Sequence, residues 1–192
     1  MQDFIKQYHN NFKNLIDSIK VTDIQGRDLH FYYGIESTCS LIKSRPNNGN
    51  KLIFIGNGGS AAIASHMAID FWKNGGIKAI SFNDGSLLTC VGNDFGYRHI
   101  FEKPIEMFAE KGDTLFAISS SGKSENILRG VDAARRQGCN IVSLSGFDSD
   151  NPLSVKGNFN FYAPMSEYGP VEVVHQYICH CILDVIMSNR NG

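Results

Sequence analysis

The 192-residue sequence lacks an excess of charge of either sign. It has 18 lysine and arginine residues and 19 aspartate and glutamate residues, so the formal net charge is −1 at pH 7. Nucleic acids and anionic membranes generally bind basic patches or basic runs, and the sequence contains no long run of charge. This absence argues against such partners but leaves room for a small anionic ligand, which needs only a local site.

The sequence also lacks the signs of a secreted or membrane-spanning chain. It has five cysteines, an odd number, and no two of them form a C-x-x-C pair. Their spacing matches no disulfide framework of secreted proteins, so reduced thiols are favoured. The first twenty residues carry scattered charges in place of an apolar signal core, and no run of about 18 apolar residues is present. We therefore expect a soluble, cytoplasmic protein without a transmembrane segment.

What the sequence does contain is an alternation of helical and apolar segments. Amphipathic helices are predicted over about 4–19 and 28–42, before a break rich in Pro and Gly at 44–50. Apolar runs with little internal alternation follow, separated by helices, at 51–56, 77–82, 113–119, 139–145 and 159–164. A last long helix covers about 171–187. This order predicts an α/β fold with a parallel sheet covered on both faces.

The length and the 42% apolar content suit one domain over residues 1–192. Residues 1–45 would form an N-terminal helical extension that packs on this domain or on a partner subunit. The apolar faces of helices outside the sheet need a cover, and either oligomerisation or packing within the chain would supply it.

Two predicted strand-to-helix turns carry the residue types of a phosphate site. Gly56–Ala61 fits the G-x-G-x-x-G/A pattern of dinucleotide-binding proteins, in which glycines allow close approach and a helix offers free N–H groups. The second turn has four hydroxyls around Gly122, from Ser119, Ser120, Ser121 and Ser124. It is not a P-loop, because Ala117 occupies a position that requires glycine. A dinucleotide would use only the first turn, so the two together favour a sugar phosphate.

Two predicted helices carry polar side chains on otherwise apolar faces. His66 and Asp70 stand four residues apart, and Glu172, Gln176 and His180 form one stripe on the last helix. A carboxylate in such a face is costly unless it is paired or coordinated. These groups suit a zinc site, but they could also be acid/base groups or satisfied core residues. The alternatives stay open here, because spacing along a chain does not determine whether two helices meet.

Taken together, these segments resemble the sugar isomerase (SIS) domain family, and within it the phosphoheptose isomerases. The matching stretches cover about 51–187 in family order and read GNGGSAAIASHMAID, LTCVGNDFGYRHIFEKPIE, GDTLFAISSSGKSENIL and VVHQYICHCILD. The resemblance implies a flavodoxin-like five-stranded parallel sheet and a homotetramer with active sites at subunit interfaces. It also implies an aldose–ketose isomerisation of sedoheptulose 7-phosphate to D-glycero-D-manno-heptose 7-phosphate through an enediol, usually with zinc.

The resemblance assigns roles to residues by position. Substrate binding falls on Asn57, Gly58, Gly59, Ser60, Asp70, Asn93, Asp94, Ser119, Ser120, Ser121, Ser124 and Glu172. One zinc ion per subunit would be held by His66, Asp70, Glu172 and His180, and the acid/base positions are those of Asp70 and His180.

This chain departs from the family pattern at three positions. The family usually has Glu at the position of Asp70, Gln at that of Glu172 and Arg at that of Asn74. The competing interpretations are a non-catalytic SIS protein that binds a sugar phosphate or a replication-initiation protein, a regulatory sugar-phosphate sensor, and an NAD-binding protein.

Overall fold

A mixed β-sheet forms the centre of the structure, a computed structural model that describes residues 1–44 and 49–188. Within these residues the sheet has seven strands, which are β1 (Lys20–Asp23), β2 (Asp28–Leu29), β3 (Leu52–Gly56), β4 (Ala79–Ser81), β5 (Thr114–Ser119), β6 (Asn140–Gly146) and β7 (Phe159–Ala163). The strand order is β2-β1-β7-β6-β5-β3-β4. The five strands β3 to β7 pair with one another in parallel. Strand β1 is antiparallel to both of its neighbours, β2 and β7.

Helices cover both faces of this sheet. They are α1 (Gln2–Asp17), α2 (Phe31–Lys43), α3 (Gly59–Lys73), α4 (Gly85–Phe95), α5 (Glu102–Phe108), α6 (Glu125–Arg136) and α7 (Tyr168–Ser188). On β3, Phe54 belongs to a core formed with α2, α3 and α7, whereas Ile53 and Ile55 belong to a second core with α5 and α6. Both faces of β3 are therefore buried, as its uninterrupted apolar sequence predicts.

The predicted α/β class and parallel sheet are confirmed, but the predicted number of five strands is wrong for the described residues. The five expected strands are present, and a hairpin of β1 and β2 adds two more beside β7. The second helix begins at Phe31 and not at Asp28, because Asp28 and Leu29 pair with β1. The 1–45 segment therefore also contributes strands, and the predicted break at 44–50 lies partly outside the described residues.

The side chain of Asp23 stabilises the turn of this hairpin. Its Oδ1 accepts hydrogen bonds from the backbone N–H groups of Gln25 and Arg27, and its Oδ2 pairs with the Arg27 guanidinium at 2.6 Å. Gly26 supplies the positive φ of 74° that the turn needs. Strands of four and two residues are too short to show a periodic apolar pattern, which explains why the sequence pattern did not predict them.

The long helix α7 is apolar because it is a core helix. By length and composition alone it could cross a membrane, but it packs against α2, α3 and the sheet. Its His175 is fully buried, and the ring Nε2 lies 3.1 Å from the carbonyl oxygen of Ser145 on β6. Since a carbonyl only accepts, Nε2 carries a proton.

The burial of His175 predicts a loss of stability in mild acid. Desolvation lowers the pKa of His175 from its ordinary value of 6.5 to about 4. Between these two values the unfolded chain binds a proton that the folded chain does not, so the free energy of unfolding falls as the pH falls. The expected contribution is about 2 kcal/mol lost between pH 7 and pH 5.

Urea unfolding at pH 7 and pH 5 measures this effect. A His175→Gln variant, which has no group that titrates at this position, should lose about 2 kcal/mol less than the unsubstituted protein over the same interval. An equal pH dependence in the two proteins would show that His175 does not titrate as its burial requires.

Candidate active site

The serine-rich turn closes one end of a polar cavity. It runs from the end of β5 to the start of α6, and Gly122 within it has a φ of +62°. Its N–H donates to the carbonyl oxygen of Ser119 at 3.0 Å, which tightens the turn around the first residues of α6. The Ser120 hydroxyl is buried and has no hydrogen-bond partner among the described residues. A buried hydroxyl without a partner is costly, so it is available for a ligand.

The glycine-rich turn lines the same cavity from the end of β3. Gly58 has a φ of +55°, and Gly59 begins α3 in close contact with the carboxylate of Glu172 from α7. A Cβ at position 59 would overlap this carboxylate, so a larger residue there would displace the Glu172 side chain. The cavity of about 230 Å³ is lined by Asn57, Gly58, Gly59, Ser60, Ser119, Ser120, Ser121, Ser124, Tyr168 and Glu172. The structure thus brings the two predicted turns together.

A second group of functional side chains lies further along the same two helices. Asp70 Oδ2 on α3 lies 3.3 Å from His66 Nε2 and 3.9 Å from His180 Nδ1 on α7. Asn74 donates from Nδ2 to the other oxygen of Asp70 at 3.3 Å, so Oδ2 faces the two imidazoles. Ligating atoms of His66, Asp70 and His180 all lie within 4.8 Å of one another. Two imidazole nitrogens and one carboxylate oxygen form a donor set that suits a divalent transition metal.

The cavity and this cluster belong to one groove. Gly59 contacts Glu172 near the start of both helices, and Asp70 meets His180 further on, so α3 and α7 run side by side in the same direction. A stretch lined by Gly59, Ile63, His66, Glu172 and Gln176, among others, connects the two ends. Gly59 and His66 are seven residues apart, or about 10 Å along a helix. An extended sugar phosphate can bridge such a distance.

Glu172 lies outside the cluster of metal-ligating atoms, and Asn93 and Asp94 lie outside the cavity. Glu172 lines the cavity but is not a member of the His66–Asp70–His180 cluster. Asn93 and Asp94 lie on α4, where both are exposed and where Asn93 Nδ2 donates to Asp94 Oδ1 at 2.9 Å. Neither of them lines the cavity formed by the two turns.

The sequence interpretation missed several residues that border the site. Tyr168 lines the cavity from the first turn of α7, and Asn126 and Tyr97 hold the side chain of Asn57 by hydrogen bonds. Asn126 follows the serine turn by two residues, and this proximity was the available signal. Tyr97 carried no such signal, because it reaches Asn57 from 40 positions away.

Comparison with known proteins places this chain in a family. The SIS domain family matches residues 7–146. The chain belongs to the SIS domain family. Among curated proteins, this SIS domain protein is 34% identical to a phosphoheptose isomerase of Helicobacter hepaticus, over 82% of its own length and 84% of the relative's. It is also 34% identical to the phosphoheptose isomerase of Vibrio cholerae, over 83% of its length and 86% of the relative's.

Solved structures give the same result. The phosphoheptose isomerase of Neisseria gonorrhoeae superposes on this SIS domain protein with a TM-score of 0.82 at 25% identity, covering 97% of this chain and 98% of the other. The phosphoheptose isomerase of Francisella tularensis gives a TM-score of 0.80 at 25% identity, with 97% of each chain covered. The resemblance to phosphoheptose isomerases inferred from the motifs is confirmed.

The cluster on α3 and α7 predicts divalent metal binding. We expect His180→Ala to weaken the binding of Zn²⁺ at least about tenfold, because it removes one of three clustered donors. Titration of metal-stripped protein with Zn²⁺ in a calorimeter measures this change. His9→Ala, on the exposed surface of α1, is the matched control and should bind as the unsubstituted protein does. Equal affinity in the His180→Ala variant would argue against the cluster as a metal site.

Proposed function

We propose that this SIS domain protein is an aldose–ketose isomerase that converts sedoheptulose 7-phosphate to D-glycero-D-manno-heptose 7-phosphate through an enediol. The observation that carries the proposal is the groove between α3 and α7, which has a phosphate-sized polar cavity at one end and a cluster of proton-carrying side chains at the other. The relatives named phosphoheptose isomerases support the choice of substrate. The comparisons give no support to a non-catalytic role.

The phosphate group is bound at the serine turn in this proposal. The first N–H groups of α6 and the hydroxyl of Ser120 offer hydrogen bonds without a fixed positive charge. The helix dipole adds partial positive charge at the same end. A phosphate fixed there orients the open-chain sugar along the groove towards Asp70 and His180. Binding of the phosphate thereby places the reacting carbons beside the side chains that act on them.

Proton transfer is assigned to Asp70 and His180. Asp70 removes the proton from the carbon beside the carbonyl group and returns it to the former carbonyl carbon, while His180 moves a proton from one substrate oxygen to the other. Asn74 orients the carboxylate through its hydrogen bond to Oδ1, so that Oδ2 faces the two imidazoles and the groove. Aspartate is one methylene shorter than glutamate, so this chain needs the substrate to approach α3 closely.

The proposed cofactor is one zinc ion per subunit. His66, Asp70 and His180 fit it by their donor atoms and mutual distances, and Glu172 remains a proposed fourth ligand. When bound, the ion would polarise the oxygen atoms of the substrate and so stabilise developing negative charge. All five cysteines lie among the described residues, and all are free thiols. Free thiols are compatible with the cytoplasmic location that we propose.

We also propose a homotetramer with active sites at the subunit interfaces. None of the residues of α4 is buried in the single chain, although the helix carries several apolar side chains. The site helices α3 and α7 expose Trp72, Ile69 and Val173, with about half of each residue accessible to solvent. Exposed apolar area of this kind is typical of a subunit interface. Such an assembly gives Asn93 and Asp94 of α4 a route into the site of a neighbouring subunit.

The catalytic assignment predicts the effect of Asp70→Asn. The amide has nearly the shape of the carboxylate but cannot accept the proton, so turnover of sedoheptulose 7-phosphate should fall about a hundredfold or more. Chromatographic detection of the aldose product measures this loss. Asp17→Asn, at the exposed end of α1, is the control and should retain full activity. Undiminished turnover by Asp70→Asn would refute the assignment.

The proposed assembly predicts the effect of Trp72→Lys. A lysine at a buried apolar interface costs several kcal/mol if it stays charged, so the tetramer should dissociate at micromolar concentration. Light scattering coupled to size-exclusion chromatography gives the mass directly. Val155→Lys replaces an apolar residue that is 74% exposed away from the site helices, and it should leave the mass unchanged. A Trp72→Lys protein of unchanged mass would contradict this interface.

A further inference from the structure

Two asparagine side chains form a reciprocal amide pair at the edge of the site. Asn57 Nδ2 donates to Asn126 Oδ1 at 2.9 Å, and Asn126 Nδ2 donates to Asn57 Oδ1 at 2.9 Å. The pair joins the glycine turn after β3 to the first turn of α6. Asn126 is only 3% exposed, so its amide is held in place by the surrounding core.

The backbone beside Asn126 determines which way the pair is oriented. Asn126 Oδ1 also accepts the backbone N–H of Ile127 at 2.9 Å. A backbone N–H can only donate, so the atom that faces it must be the oxygen of Asn126. The Nδ2 of Asn126 therefore faces Asn57, and the group that it meets there must be the oxygen of Asn57.

The oxygen of Asn57 receives a second hydrogen bond. The hydroxyl of Tyr97 donates to Asn57 Oδ1 at 3.1 Å. With donors from both Asn126 and Tyr97, this oxygen has both of its lone pairs engaged. The amide nitrogen of Asn57 carries two hydrogens. One of them is donated to Asn126 in the pair, and the second hydrogen has no hydrogen-bond partner among the described residues.

The free N–H of Asn57 belongs to the substrate groove. Asn57 lines the cavity with the serine turn, and it also lines an adjoining cavity of about 380 Å³ together with Tyr97, Ser124 and Asn126. A side chain whose oxygen is engaged and whose N–H is free offers a ligand a donor only. The matching ligand atom is an oxygen that accepts, such as a carbonyl or hydroxyl oxygen of a sugar.

We propose that Asn126 and Tyr97 are positioning residues that fix Asn57 as a hydrogen-bond donor to an oxygen of the bound sugar phosphate. The inference rests on the proposed function for the identity of that ligand. It assigns to Asn126 and Tyr97 a role in substrate binding, exerted through Asn57 and without contact to the reacting atoms. Loss of either residue removes one of the two donors that hold the Asn57 oxygen away from the ligand, so the amide is held less firmly as a donor to the sugar.

Kinetics on sedoheptulose 7-phosphate test this role through a double-mutant cycle. Tyr97→Phe and Asn126→Ala should each raise KM about threefold to tenfold with kcat changed less than about twofold, because a hydrogen bond made equally before and during reaction affects binding alone. In the Asn57→Ala background, the same two substitutions should change KM by less than about twofold, since the group that they orient is gone.

Asn160→Ala is the matched control. Asn160 is a buried asparagine, 2% exposed, and its side chain bonds to Ser143, Gly157 and Thr22 at a distance from the site. Its loss should lower the thermal midpoint without changing KM. Tyr97 is 65% exposed, so Tyr97→Phe tests the inference even if Asn126→Ala fails to fold.

The possible outcomes separate the inference from the proposed function. An active protein in which Tyr97→Phe raises KM by the same factor with and without Asn57 would overturn the positioning role and leave the isomerase function standing. An active protein in which Tyr97→Phe leaves KM unchanged in both backgrounds would overturn it equally. An unsubstituted protein that does not turn over sedoheptulose 7-phosphate would refute the proposed function, and the inference with it.

Discussion

The close packing of α7 against α3 is the contact on which the proposed active site depends. At one end, the carboxylate of Glu172 lies directly against Gly59, in the space that a Cβ at position 59 would occupy. Further along, the same packing brings His180 to 3.9 Å from Asp70. Since α3 follows β3 and α7 follows β7, both in the parallel part of the sheet, the site forms where these strands end. A shift of either helix would separate the phosphate cavity from the side chains that move protons.

Sequence patterns predicted the large elements of the fold and missed the smallest. The five apolar runs correspond to β3–β7 because strands buried on both faces leave an uninterrupted apolar signature. The hairpin of β1 and β2 has no such signature, since its strands are short and its turn depends on the side chain of Asp23. Its pairing with β7 is a contact between distant parts of the chain, which local periodicity does not encode.

For the site, the sequence indicated the types of residue involved but not which of them lie close together in the fold. The spacing of His66 and Asp70 predicted a shared helix face, and the approach of His180 became known only from the packing of α7. The position of Glu172 in the cavity beside Gly59 became known in the same way. The amide pair of Asn57 and Asn126 joins two turns 69 positions apart, so no sequence spacing could have indicated it.

Proton NMR of the unsubstituted protein with sedoheptulose 7-phosphate in D₂O tests the central claim most directly. Removal of a proton by Asp70 and its return from solvent predict an aldose heptose 7-phosphate that carries deuterium at carbon 2, because the enediol is protonated there. The account predicts growth of this product at the expense of the ketose. A ketose spectrum that stays unchanged would contradict it.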